Sequence, residues 1–225
     1  MTKYTPFFAL MLFFTACCPE PEDISSNPVH FDNLAVGQKS RYLLLSGDDY
    51  YLQDSFNFDY LDDTLTLEIV DLNNEGFKVK ETMQYTGDTH AYLQGEKDSV
   101  YYYYFNVVND TLRITKSGSL WVNSRIFGYN SAQNGLPLID YTDHPVEIKG
   151  WKTSFPYCEC FNSGYTEHYE QFGIHYDRLN VWLQNSPMSF DGSGSTFLYS
   201  NTHGIVRMST YSWWSQSGFG WDLLP

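Results

Sequence analysis

The chain of 225 residues predicts an all-β fold, an antiparallel β-barrel or β-sandwich built from short, hairpin-connected strands. Three observations point there. Apolar and polar residues alternate with period two in segment after segment, as they do in strands with one buried face. Aromatic residues make up 18% of the chain, and large flat rings pack well on a pleated surface. Clusters of Gly, Asn and Asp interrupt the alternation at intervals of roughly 8–12 residues, a spacing suited to hairpins. No convincing window repeats apolar residues at helical spacing over three turns, so no helix is expected.

The elements follow in order. Leu65, Leu67 and Ile69 share one face, with Thr64, Thr66 and Glu68 on the other. Phe77, Val79, Met83 and Tyr85 alternate in the same way with Lys78, Lys80, Thr82, Gln84 and Thr86, and Asn73-Asn74-Glu75-Gly76 supplies the turn of a hairpin between the two segments. Val100 to Val108 is an aromatic strand that turns at Asn109-Asp110 into Leu112 and Ile114. Leu120, Val122 and Ile126 read as a further strand, and Leu179, Val181 and Leu183 as another. Ser195–Ser200 and Gly204–Ser212 form the last clear pair, joined at Asn201-Thr202-His203. Asp63-Thr64-Leu65 and Asp110-Thr111-Leu112 both look like a turn feeding a strand. Tyr129 to Gly164, with Pro137, Pro145 and Pro156, reads as long loops with one strand over Val146 to Trp151.

The first residues read as an address. Lys3 precedes the run from Phe7 to Phe14, eight consecutive apolar residues, with small residues Thr15 and Ala16 before Cys17. The run is far shorter than the roughly 18 residues of a membrane-spanning helix. The expected organisation is a signal peptide over 1–16, a lipidated cysteine and an acidic, proline-rich tether over 17–30, and one all-β domain over 31–225. Phe14-Thr15-Ala16-Cys17 resembles the lipobox of bacterial lipoproteins, which implies thioether lipidation of Cys17. The acidic stretch after it is similar to the surface-export signal of Bacteroidota lipoproteins. Leu34-Ala35-Val36-Gly37 leading to Tyr42, and the ending Gly220-Trp221-Asp222-Leu223-Leu224-Pro225, resemble uncharacterised envelope lipoproteins of the same group. The resemblance covers the signal and both ends. It implies an outer-membrane location through the lipid anchor, on the surface or the periplasmic face, and brings no established activity.

Thirteen Lys and Arg against 27 Asp and Glu give a net charge of −14. Such a surface repels phosphates, which argues against nucleic acid as a partner. It also keeps an aromatic-rich chain soluble.

Candidate chemistry is sparse. Cys158 and Cys160, two apart, fall on one side of a strand. A short-loop disulfide, two free thiols, or a metal held with His144 and His168 all remain open, although the spacing fits no common zinc pattern. Trp182 shares a strand face with Arg178, Asn180 and Gln184, an aromatic among polar groups of the kind that binds sugars. The competing reading is a cross-strand aromatic pair. Trp213, Trp214 and Trp221 read as core closure. Glu68, Asp71 and Glu75 do not read as the facing acids of a glycosidase, and His175 with Asp177 lacks a nucleophile beside it. No cofactor motif occurs, so none is expected, nor is any catalytic residue assigned. The expected function is a non-catalytic envelope module that binds a glycan or an envelope protein. The alternatives are a structural part of an envelope assembly and a hydrolase of a surface polymer.

Overall fold

The computed structural model describes residues 26–28, 30–48, 58–86, 99–115, 124–127, 135–149, 152–154, 163–184, 194–212 and 217–225. Among them every regular element is a strand: β1 (Ser26–Pro28), β2 (Lys39–Asp48), β3 (Asp59–Asn73), β4 (Gly76–Gln84), β5 (Ser99–Val107), β6 (Thr111–Thr115), β7 (Leu136–Pro137), β8 (Ile139–Tyr141), β9 (Glu147–Lys149), β10 (Lys152–Ser154), β11 (Ser163–Gln171), β12 (Ile174–Gln184), β13 (Gly194–Ser200), β14 (Gly204–Ser212) and β15 (Ser217–Leu223). No helix of the described residues is long and apolar enough to cross a membrane. Eleven strands form one antiparallel sheet in the order β11-β12-β13-β14-β15-β2-β3-β4-β5-β6-β7, with β1-β8 and β9-β10 as small separate pairs. Neighbours in the large sheet are consecutive in sequence except at β15 and β2. There the last strand zips onto the first long one, from Leu223 opposite Tyr42 to Ser217 opposite Asp48.

The antiparallel all-β expectation holds, with the sheet curled into a half-barrel. Its two outer strands, β7 and β11, do not pair with each other. Leu65, Leu67, Ile69, Val79, Met83, Tyr103 and Phe105 line the concave side from β3 to β5. Phe197, Tyr199, Met208 and Trp221 line it from β13 to β15. Phe127 bridges the two groups, its ring 5.7 Å from Phe105 and 5.5 Å from Phe197. A side chain that fills the gap between the arms of a curled sheet supplies the packing a facing sheet would otherwise give. On the convex side of β12–β14, Leu179, Val181, Leu198 and Val206 make a second core with Val146 and Tyr176.

The turns follow their chemistry. β3 and β4 meet through Asn74-Glu75, with Gly76 at φ 112° packed so closely on Phe105 and Asn106 that a Cβ there would collide with both. Asn109 and Asp110, at φ 50° and 53°, form the two-residue left-handed turn between β5 and β6.

Several expectations need correction. Ile126 is not in a strand but in a turn over residues 124–127, buried in the core; Leu120 and Val122 lie outside the described residues. Glu81 makes that turn. It points inward between Val79 and Met83, fully buried, and accepts from the backbone N–H of Arg125 at 3.0 Å and from the hydroxyls of Tyr103 and Ser124 at 2.8 and 3.1 Å. A carboxylate so placed captures a passing segment by its backbone and fixes Phe127 in the gap. Asp63 does not sit at a turn. It is buried within β3, where one oxygen accepts from the N–H and hydroxyl of Thr86. Val146 to Trp151 is not one strand: β9 ends at Lys149 and pairs with β10, and Trp151 lies outside the described residues. The expected tether over 17–30 gives its last residues to the fold, because Ser26–Pro28 pair with Ile139–Tyr141.

Candidate functional site

The β11–β12 hairpin builds one wall of a cleft. Its pairing register is constant, from Ser163 opposite Trp182 to Gln171 opposite Ile174. Its buried face is not. In the stem, Leu179 and Val181 pack into the convex-side core, and near the tip Tyr169, Ile174 and Tyr176 pack there instead. Tyr176 and Leu179 are an odd number of residues apart, so the tip is rotated about half a turn on its stem. The rotation occurs beside His168, which adopts φ 56°. The polar face so turned outward carries His168 and His175, whose rings stack at 5.8 Å, and Asp177, 3.4 Å from His175. At the apex, Phe172 (φ 50°) and Gly173 (φ 74°) make a two-residue turn of the left-handed type. Asn or Gly is favoured at the first of these positions, and a Phe there carries about 1 kcal/mol or more of backbone strain. Its ring is held against Tyr60 at 4.9 Å, and Tyr60 meets Phe58 edge-on at 5.1 Å.

The floor is a buried ion pair. Arg207 of β14 and Asp222 of β15 stand directly opposite each other in the sheet. Two guanidinium nitrogens donate to the two carboxylate oxygens, each at 2.5 Å. The Tyr60 hydroxyl adds a third donor to Asp222 at 2.7 Å. Arg207 is 3% exposed and Asp222 fully buried. The guanidinium carbon lies 5.1 Å from the Phe58 ring centre and 5.6 Å from that of Tyr169. Burial alone would lower the Arg207 pKa, but the Asp222 carboxylate outweighs it and holds the guanidinium above its ordinary value. Burial, then the charge of Asp222, pushes the Tyr60 phenol up, so it remains a donor.

Between wall and floor lies an open cleft of about 460 Å³, lined by Phe58, Tyr60, Tyr169, Phe172 and Arg207, with Thr166, Gln171 and Ile148 also in contact and Glu167, His168 and Glu170 at the rim. Gln171 is anchored, accepting from the Tyr169 hydroxyl at 3.0 Å and donating to the Leu223 carbonyl at 3.3 Å. A pocket of this size with rings on its walls and a few fixed polar groups suits a small, uncharged, amphipathic ligand.

The face proposed from sequence lies elsewhere. Trp182 is buried in the concave core, 5.9 Å from Phe197, and presents no open ring. Asn180 is buried beside it and accepts from the Tyr141 N–H at 3.1 Å. Arg178 donates to the Tyr141 carbonyl and stacks 4.1 Å over Tyr165, 3.8 Å from Asp140. Asn180 and Arg178 hold β8 against β12. Gln184 pairs by its backbone with Ser195. The alternation misled because β12 is buried on both faces from Leu179 to Trp182. Cys17, Cys158, Cys160, Trp213 and Trp214 lie outside the described residues. Trp221 is wholly buried, as expected of a core-closing residue. Glu68 pairs with Lys39 at 3.1 Å, and Asp71 and Glu75 sit at the exposed end of the β3–β4 hairpin. Among the described residues no three His, Cys, Asp or Glu side chains cluster as a metal site.

Sequence reasoning missed Tyr60, Phe172, Arg207 and Asp222. One signal was present: Phe172-Gly173 sits where a hairpin turn calls for Asn-Gly. In comparisons with protein-family models, curated proteins and solved structures, the chain matches none.

Proposed function

We propose that this chain is a lipid-anchored envelope module that binds a glycan in the cleft lined by Phe58, Tyr60, Tyr169 and Phe172, without cleaving it. The observation that carries the reading is Phe172 itself. A bulky ring occupies a left-handed turn position that disfavours it, and is thereby set at the mouth of a cleft walled by rings. Strain kept at a cleft mouth supports a function for the residue that bears it. Sugars fit such a surface, because their C–H faces lie on aromatic rings while their hydroxyls reach polar groups at the rim. The two rim carboxylates, Glu167 and Glu170, belong to one strand and do not face each other across the cleft, so the described lining residues offer no glycosidase pair. The anchor at Cys17 and the envelope location rest on the lipobox-like residues Phe14 to Cys17.

A glycan array probed with the folded domain tests the reading. Binding to a defined set of oligosaccharides, lost on substitution of Phe172, is the expected result. Silence across diverse glycans from a folded domain would overturn it.

A further inference from the structure

We infer that the cleft selects uncharged saccharides and turns away uronates and other anionic sugars. The inference rests on the glycan reading and narrows it. Proteins that take acidic sugars offer the carboxylate a cation whose charge no neighbouring acid has neutralised. Here the cation in the floor, Arg207, already grips Asp222 through two hydrogen bonds at 2.5 Å. Asp222 cannot be displaced cheaply: it is fully buried and also holds the Tyr60 hydroxyl at 2.7 Å. Pulling it away would leave a buried carboxylate without its partner. The described lining residues add no lysine, and the rim carries Glu167 and Glu170, both exposed, with His168 between them in sequence. An incoming carboxylate therefore meets a neutralised floor and a negative rim, in a chain whose net charge is already −14. A neutral pyranose meets rings and acceptors for its hydroxyls. Rim carboxylates at the surface act across partly aqueous space, so the penalty on an anionic sugar is about tenfold and shrinks as salt rises.

The test pairs each neutral oligosaccharide with its acidic counterpart of equal length: cellohexaose with its glucuronate analogue, mannohexaose with mannuronate, galactohexaose with galacturonate. Affinities are measured near pH 8, where histidine side chains in general are uncharged, at low and at high salt. The expected result is binding of at least one neutral member, with its uronate partner weaker by about tenfold at low salt and the gap narrowing at high salt. The Glu167→Gln/Glu170→Gln variant should narrow the same gap at low salt. Uronates that bind as tightly as, or more tightly than, their neutral partners overturn the selectivity and leave the glycan reading standing. Silence across both members of every pair overturns the two together.

Discussion

Replacing Phe172 by Asn separates binding from folding at a single position. Phe172 sits at φ 50° before Gly173 at φ 74°, and Asn-Gly is the pair this turn prefers. Asn relieves the left-handed strain, worth about 1 kcal/mol or more. The substitution removes the contact of the Phe172 ring with Tyr60 at 4.9 Å, worth about 0.5–1.5 kcal/mol. The terms oppose each other, so stability should change by less than about 1 kcal/mol in either direction. Binding has no such compensation. A ring removed from the mouth of the cleft should weaken the ligand by tenfold or more, which is about 1.4 kcal/mol. Urea denaturation read by tryptophan fluorescence gives the first quantity and titration with an array-identified oligosaccharide gives the second. A variant destabilised by more than about 2 kcal/mol would show the ring to be structural. A variant that binds like the parent would remove Phe172 from the site.

Three other perturbations follow, two from the structure and one from the sequence. Asp222→Asn leaves a buried guanidinium without its carboxylate and should cost about 3–5 kcal/mol in urea, whereas Arg207→Met with Asp222→Leu should recover most of that loss; equal losses in the single and double variants would contradict the pairing. Burial holds the Glu81 carboxyl above its ordinary range despite its donors, so folding favours the protonated acid. Its contribution to stability is therefore fully present below the unfolded pKa of about 4.3 and is lost as pH rises through the higher folded value. Glu81→Gln should flatten that part of the stability–pH curve, and an unchanged curve would count against the assignment. Cys17→Ala should move the protein out of the membrane fraction, and a variant that still partitions into detergent like the parent would end the anchor assignment.

What could be read from the sequence depended on whether a residue obeyed the rule of its strand. Leu65, Leu67 and Ile69 alternate cleanly because one side of β3 is solvated over that stretch, so their burial was legible. The turns at Asn109-Asp110 and Gly76 were legible because their backbone geometry selects those residues. The pairing of β15 with β2 was not, since no local signal specifies a partner so distant in sequence. Glu81 stands within the apolar stripe of β4, between Val79 and Met83, and alternation alone puts it inside. The phase change in β12, with Ile174 and Tyr176 followed by Leu179 and Val181, marks the twist that lays the hairpin tip over the convex face. Trp182 was misplaced because β12 is covered on both sides from Leu179 to Trp182, so the polar-looking face is buried at Asn180 and Trp182. Arg207 and Asp222 lie 15 residues apart in the chain, and only the β14–β15 register sets them opposite each other.

The most direct test of the cleft is a two-dimensional NMR titration of the labelled domain with a neutral oligosaccharide that the array identifies. Shift changes concentrated at Phe58, Tyr60 and Tyr169 to Gly173 are the predicted result. Changes confined to the concave side around Trp182 and Asn180, or to the β5–β6 turn, would place the ligand elsewhere and contradict the account.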